Sequence, residues 1–143
     1  MADRVDPYRS FNFKLLIDGV TEGHFTECTG LGMRVEAIAY REAGNNEAVR
    51  KIPGRVEYGD VVLRYGLTDS VDLWNWMRSV ATGVVVRKNV SVVVLASDGA
   101  TEAIRWNLIN AWPAEWRGAP LRALAQEVAI EQMRLVCDEM NRA

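Results

Sequence analysis

The sequence has little of what several common classes of protein depend on. Its 143 residues include two cysteines, one histidine and four prolines, and the net charge is −2. Cys28 and Cys137 are far apart in sequence, which gives neither a disulfide framework nor the close spacing of metal ligands. The near-neutral charge argues against a polybasic nucleic-acid binder and an acidic disordered tail. We expect both cysteines to be reduced packing residues of a cytoplasmically made protein.

Long apolar segments are also absent. No apolar run approaches the roughly 18 residues that a membrane helix needs. The polar segment 1–7 predicts no signal peptide. At about 150 residues per domain, the length predicts a single domain over 1–143. Because it lacks a long apolar run, this domain is not expected to insert into a membrane.

Tryptophan, by contrast, is abundant. Five tryptophans lie between positions 74 and 116. Each indole buries a large apolar area, so tryptophans dominate the energetics of cores and interfaces. So many in a short chain favour a core or a subunit interface over a stacking platform for a ligand.

The dominant hydrophobic period is two, which is the period of a half-buried strand. Short strands with turn signals between them predict a mainly β fold: an antiparallel β-sandwich or barrel of about seven strands with one flanking helix at about 69–81. Thr68 or Asp69 is the expected cap of this helix and Gly83 its stop. The strands are predicted at 11–17, 23–29, 33–40, 57–67, 90–96, 104–112 (ending at Pro113) and 127–137.

The segment 41–56 shows no clear period. It is rich in glycine, asparagine and basic residues, and it predicts an extended polar loop or a loose hairpin. Loops of this length in compact domains are usually functional.

A search for catalytic groups finds little. His24 has no cysteine, serine or aspartate partner at a catalytic spacing. Glu127 and Glu131 are four residues apart in a predicted strand, where a solvated face is a simpler interpretation than an acid–base pair. The glycines at 30 and 32 are too few for a phosphate loop. We therefore expect no catalytic, cofactor or metal site.

Several extended motifs resemble the tail-tube protein family of contractile phage tails and phage-tail-like contractile injection systems. The resemblance covers nearly the whole chain in the same order. The motifs are DPYRSFNFK at 6–14, FTECTGL at 25–31, RKIPGRVEYGDVVLRYG at 50–66, LWNW at 73–76, RWNLINAWP at 105–113 and EVAIE at 127–131.

The resemblance implies a structural protein without cofactors that assembles with itself. In this family, six-membered rings stack into a hollow tube, a contractile sheath drives the tube through a target envelope, and each subunit adds four strands to a continuous lumen barrel. The implied partners are other copies of the chain, the sheath protein, baseplate, spike and tube-terminating proteins, and an effector or DNA in the lumen. The implied location is the bacterial cytoplasm, followed by a contractile particle that stays inside the cell or is released.

Three sets of residues follow as candidate assembly surfaces. The candidate lumen-facing residues are Arg34, Glu36, Asp60 and Arg64. The candidate ring-stacking loop contains Arg41, Glu42, Glu47, Arg50, Lys51 and Arg55. The candidate helix interface contains Trp74, Trp76 and Met77. Of the other tryptophans, Trp106 is expected in the subunit core, and Trp112 and Trp116 near a bend at Pro113.

Alternatives remain open at this level. Within the family, the chain fits an injection-system tube, which the motif at 50–58 favours, or a phage tail tube that conducts DNA. Outside the family, a small β-barrel with a tryptophan-lined ligand pocket would be a monomer with a closed cavity. A lyase or hydrolase that uses Glu127 and Glu131 is the third hypothesis.

Overall fold

A computed structural model describes residues 13–18, 25–41, 49–67, 70–124 and 129–143. These residues form nine strands and one helix, so the predicted mainly β class is confirmed. The elements are β1 (Phe13–Ile17), β2 (Phe25–Thr29), β3 (Met33–Arg41), β4 (Val49–Tyr58), β5 (Val61–Gly66), α1 (Asp72–Ala81), β6 (Lys88–Leu95), β7 (Glu102–Arg117), β8 (Ile130–Val136) and β9 (Glu139–Arg142).

Seven of the strands form one continuous antiparallel sheet in the order β1-β6-β7-β8-β5-β2, with β9 also paired to β7. The sheet turns at Asn110, whose φ of 55° is rare for a residue other than glycine. The backbone N–H of Asn110 donates to Asn89 Oδ1 at 3.3 Å, and the side-chain Nδ2 of Asn110 donates to Asp138 Oδ2 at 3.1 Å. Leu108 and Ala111 are both fully buried although they are three residues apart, because the turn shifts the phase of alternation.

The turn in β7 divides the sheet into two parts. Sheet A contains β1, β6, the first part of β7 and β9, and sheet B contains the end of β7 (112–117), β8, β5 and β2. The core lies between them and is filled by side chains at alternate positions. Val61, Leu63 and Tyr65 of β5 are buried as the period-two pattern predicted.

Helix α1 closes the core with Leu73 and Trp76. It begins at Asp72, whose carboxylate is in the first turn, where the helix dipole favours negative charge. The predicted stop at Gly83 is confirmed. Gly83 has a φ of 96°, its N–H donates to the Val80 carbonyl, and the Val84 N–H donates to the Ser79 carbonyl, the bond pattern of a Schellman motif. The predicted cap at Thr68 or Asp69 is wrong because the helix begins later: its N-cap is Val71, which makes no side-chain capping hydrogen bond.

The other two strands form a separate antiparallel ribbon, which we call the arm. It consists of β3 and β4, which pair only with each other among the described residues. All of β3 is exposed, and so is all of β4 except Gly54 and Tyr58. The part of the segment 41–56 from Val49 onward is thus strand, although its sequence shows no period. A register shift opposite Glu36 moves the alternation of β4 out of phase at this point.

Three predicted strand boundaries are wrong. The strand expected at 57–67 is two strands, β4 and β5, separated by Gly59 and Asp60. The strand expected to end at Pro113 continues to Arg117, because a register shift beside Pro113 accommodates a residue that lacks an N–H. The strand expected to continue through residue 137 ends at Val136, and β9 follows it.

Candidate assembly surfaces

The outer side of sheet B is a four-stranded polar surface, which we call the polar face. It arises because each strand alternates between the core and the outside. The register aligns Glu27, Arg64, Gln132 and Arg117 across all four strands. A second row contains Thr29, Val62, Arg134 and Glu115.

The charges of the polar face are paired within the subunit. Arg134 contacts Asp60 at 2.7 Å and Glu115 at 3.5 Å, and Glu115 also contacts Arg117 at 2.5 Å. The hydrogen bond that Arg134 donates to the Asp60 carboxylate raises the pKa of the Arg134 guanidinium above its usual value. Arg64 contacts Glu27 at 3.5 Å. Three arginines thus face three carboxylates, so the surface is strongly polar without a net charge from these groups.

Both outer edges of sheet B are unpaired among the described residues. Strand β2 pairs only with β5, and residues 112–117 of β7 pair only with β8. Unpaired edges expose a row of backbone N–H and C=O groups that can accept another strand. Sheet B therefore offers two edges for pairing with other chains.

The structure separates the candidate lumen-facing residues into two groups. Arg64 lies on the polar face, and Asp60 lies at its margin, where it contacts Arg134. Arg34 and Glu36 lie instead on the arm, where Arg34 pairs with Glu57 at 3.4 Å. Sequence reasoning missed several polar-face residues that alternation along β2 and β8 could have found: Glu27, Gln132 and Arg134. It missed Glu115 and Arg117 because β7 was expected to end at Pro113.

The candidate ring-stacking residues lie on the arm where they are described. Arg41, Arg50, Lys51 and Arg55 are exposed on β3 and β4, and Glu42 and Glu47 lie outside the described residues. The two faces of the arm differ in polarity. One face is mainly apolar: Met33, Val35, Ala37, Ala39, Val49, Pro53 and Val56, with Lys51 and Arg41 towards the tip. The other face mixes charged and apolar side chains: Arg34, Glu36, Ile38, Tyr40, Arg50, Ile52 and Glu57.

The helix exposes one of its two tryptophans to solvent and buries the other. Trp74 is 46% exposed and meets Trp116 edge to face at 4.9 Å between ring centroids. Trp76 is 3% exposed, and its indole N–H donates to the Val86 carbonyl at 2.7 Å. Met77 is half-buried against the core. Trp76 therefore belongs to the core rather than to an exposed helix surface.

The remaining tryptophans lie on β7. Trp106 is half-buried and packs against the core, as expected, with the Arg142 guanidinium 5.8 Å from its ring. Trp116 also packs against the core, whereas Trp112 lies opposite Val136 at the end of the polar face.

The described residues contain no cluster of side chains that would hold a metal ion. His24 and Glu127 lie outside the described residues. Glu131 accepts a hydrogen bond from the Trp116 indole at 3.4 Å. Burial, reinforced by the nearby Glu131 carboxylate, raises the pKa of Tyr65. Burial also raises the pKa of the Cys28 thiol to about 11, which suppresses the reactive thiolate. No helix in the described part of the chain is long and apolar enough to cross a membrane.

A two-sheet β chain with a polar face, an exposed arm and two sheet edges that are unpaired among the described residues has the features of a protein that assembles through its strands. The profile of the T4-like virus tail tube protein gp19 family matches residues 9–141, so the chain belongs to this family of tail tube proteins. No curated protein matches the sequence.

Solved structures show the same fold. A chain in the structure of the anti-feeding prophage tube-terminating cap has a TM-score of 0.87 at 22% identity, and the match covers 100% of this chain and 95% of that chain. A chain of the sheath–tube complex of PVC, an extracellular contractile injection system, has a TM-score of 0.85 at 22% identity, and the match covers 96% of this chain and 91% of that chain. Hcp1 from Flavobacterium johnsoniae is more distant, with a TM-score of 0.59 at 14% identity, and the match covers 92% of this chain and 94% of that chain.

Proposed function

We propose that the chain is the inner-tube subunit of a contractile injection system. Six copies form a ring, and the rings stack into a rigid conduit that a contracting sheath drives through a target envelope. The observation that carries this proposal is sheet B, which combines four strands, a polar outer face and two edges that no other described strand pairs with. No catalytic step is needed, because the work of penetration comes from the sheath.

The strand directions of sheet B suit closure into a ring. Neighbouring strands run antiparallel in each of its three pairings. Strand β2 and the end of β7 therefore run in opposite directions. A rotation about a tube axis brings β2 of one copy beside β7 of the next as another antiparallel pair. Such closure removes both exposed edges, which is the general advantage of barrels over open sheets.

The size of such a barrel fits a conduit. Six copies of four strands, spaced about 4.8 Å apart and tilted about 40°, give a backbone diameter of roughly 48 Å. Inward side chains leave an opening on the order of 40 Å, wide enough for a small protein or a DNA duplex. In this arrangement the polar face lines a wetted lumen, with Arg64 on the wall and Asp60 at its margin. The helix then lies at the outer surface, where Trp74 is available to the sheath.

The arm is proposed to contact the next ring. Its length and exposure support this role, since a two-stranded ribbon is only marginally stable in water without packing partners. Arg34 and Glu36 lie on the mixed face of the arm, so they line the lumen only where the arm extends the tube wall. The further proposed partners are the sheath, the baseplate and spike, and a tube-terminating protein. The particle is proposed to assemble in the bacterial cytoplasm.

Disulfide cross-linking tests the ring closure. In a background without the natural cysteines, a cysteine at Glu27 combined with one at Glu115 or Arg117 is expected to give covalent ladders up to hexamers after oxidation. The matched control keeps the cysteine at Glu27 and moves its partner to Lys14 on β1, which should give no ladder. Ladders of equal length from the control, or none from either β7 position, would contradict the closure.

A phage tail tube that conducts DNA is the second candidate, and the match to the T4-like virus tail tube family favours it. The likeness to chains of two injection-system particles supports the first candidate. The gene neighbourhood separates them. Capsid and terminase genes indicate a phage, whereas their absence together with an AAA-type ATPase gene indicates an injection system that carries a protein effector.

A further inference from the structure

The end of β7 is a strand with a partner on one side only. From Trp112 to Arg117 it pairs with β8 and with no other described strand. Pro113 has no N–H to donate to the ladder, and the register shifts between Pro113 and Glu115. A short edge strand with an interrupted ladder is expected to open locally, because few backbone hydrogen bonds hold it in place. The side-chain contacts of this segment therefore decide whether it stays extended.

On the polar face, Arg134 of β8 holds this segment through Glu115. The two residues are direct partners across the strands, and Arg134 Nη2 lies 3.5 Å from Glu115 Oε2. Their side chains are 34% and 33% exposed, so solvent screens this pair less than a fully exposed one. Arg134 also donates to Asp60 at 2.7 Å, and Arg117 donates to Glu115 at 2.5 Å. Several charges in one network contribute to stability where an isolated surface pair contributes little.

On the core side, Glu131 of β8 holds the same segment through Trp116. The Trp116 indole N–H donates to Glu131 Oε2 at 3.4 Å. The Trp116 ring also meets Trp74 of the helix edge to face, at 4.9 Å between ring centroids. Beyond the strand, the backbone at Gly118 lies against the ring, since a Cβ added there would be 3.1 Å from Trp116 Cη2. Trp116 is thus fixed by the neighbouring strand, by the helix and by the chain that follows it.

Glu131 is an unusual residue for its place in the sheet. It is half-buried on the core side of sheet B, where it lies opposite Tyr65 and alternates with the fully buried Met133 and Leu135. Placing a carboxylate beside an apolar core costs free energy unless polar partners compensate it. The Trp116 indole is such a partner. An apolar side chain would fill this position without that cost, so the group that Glu131 holds explains the carboxylate.

We propose that Glu131 and Arg134 are positioning residues: from opposite faces of β8 they hold the end of β7 extended before any partner strand arrives. Glu131 acts through Trp116, and Arg134 acts through Glu115. The inference rests on the proposed function for the identity of the partner strand, which is β2 of another copy. An edge that is already extended avoids the entropic cost of ordering this segment while the strands pair.

Hydrogen exchange in dispersed subunits tests the positioning without assembly. In a double variant, Glu131→Ala with Arg134→Gln, we expect the backbone amides of 114–117 to exchange about tenfold faster and those of β6 to stay unchanged. Arg64→Gln is the matched control, because it removes the same charge from the same face but breaks a pair with Glu27 of β2. It should leave exchange at 114–117 unchanged. Unprotected amides at 114–117 in the natural chain, or no acceleration in the double variant, would overturn the proposal.

The rate of cross-linking separates positioning from general stability. In the background with cysteines at Glu27 and Arg117, Glu131→Ala should slow the formation of covalent ladders several-fold, because the β7 edge is then less ordered. Glu131→Gln keeps an oxygen that accepts from the indole, and it should restore most of the rate. Val92→Ala is the stability control, since Val92 is a buried core residue of β6. It should lower the midpoint of urea unfolding and leave the rate of ladder formation unchanged.

Two results of the cross-linking would overturn the positioning role. If Val92→Ala slows the ladders as much as Glu131→Ala does, both residues act through stability alone. If Glu131→Gln is as slow as Glu131→Ala, the acceptor oxygen has no role. If the natural chain itself forms no ladders, the proposed function fails, while the exchange measurement still judges whether Glu131 and Arg134 hold the end of β7.

Discussion

The two helix tryptophans offer a sharp test, because neighbouring positions in one motif are predicted to have different roles. Trp76 is 3% exposed and Trp74 is 46% exposed. Replacing a buried tryptophan by alanine costs about 3–5 kcal/mol through lost burial and the cavity that remains. Trp76→Ala also removes the indole donor to the Val86 carbonyl, and net hydrogen bonds of this kind contribute about 1 kcal/mol.

Trp74→Ala should cost much less. It loses the edge-to-face contact with Trp116, and such contacts contribute about 0.5–1.5 kcal/mol. The free energy of unfolding should therefore fall by at least ~2 kcal/mol more in Trp76→Ala than in Trp74→Ala. A third variant, Trp76→Phe, keeps most of the ring but loses the donor, and it should lie between them.

The assay is urea unfolding of dispersed subunits, followed by circular dichroism at a concentration below that of assembly. The slope of the transition should stay similar among the variants, so that the midpoint reports stability. Equal destabilisation by Trp74→Ala and Trp76→Ala, or a larger effect of Trp74→Ala, would refute the placement of Trp76 in the core. In assembled particles we expect the order to reverse for sheath binding, because the proposed contact with the sheath uses the exposed Trp74.

Three further outcomes follow from the described residues. Asn110→Gly should be tolerated or slightly stabilising at φ 55°, whereas Asn110→Val should lower the free energy of unfolding by about 1–3 kcal/mol in a urea titration, since a β-branched residue is strained there. Because burial raises the pKa of Cys28 to about 11, this thiol should resist alkylation at pH 8 in the folded protein and react once the protein unfolds. Rapid labelling of the folded protein would contradict its burial. The pKa of Tyr65 in the folded protein lies above its unfolded value of about 10, so its contribution to stability is present below pH 10 and is lost as the pH rises further. Tyr65→Phe should therefore make the free energy of unfolding fall less steeply above pH 10. An unchanged fall would assign the alkaline loss of stability to other groups.

The elements that cover the core were the most predictable from sequence. Strand β5 alternates cleanly because one face is buried against the core and the other is solvated. Gly83 ends the helix because it adopts a positive φ, which glycine tolerates without steric cost.

The elements that do not cover the core were poorly predicted. Strand β4 lies in an arm with both faces exposed, so no burial imposes a period on its sequence, and the register shift near Gly54 hides what alternation there is. Pro113 suggested a strand end, yet the irregular pairing beside it lets β7 continue. A local pattern does not show such pairings, because they depend on β8, which follows later in the chain.

The candidate surfaces show the same limit. Alternation correctly placed Arg64 opposite the buried face of β5. It could not choose between Trp74 and Trp76, because the helix has two adjoining apolar stripes and only tertiary packing decides which one meets the core. The close contact between the backbones at Gly30 and Gly59 was also hidden, since it joins two segments almost thirty residues apart in sequence.

Electron cryo-microscopy of the assembled protein tests the central claim most directly. A helical reconstruction should show six copies per ring, an opening on the order of 40 Å, and the polar face with Arg64 and Arg134 turned towards the lumen. Strand β2 of each copy should pair with the end of β7 in its neighbour. A chain that remains monomeric at high concentration and in particle extracts, or a tube in which the polar face lies on the outside, would contradict the account.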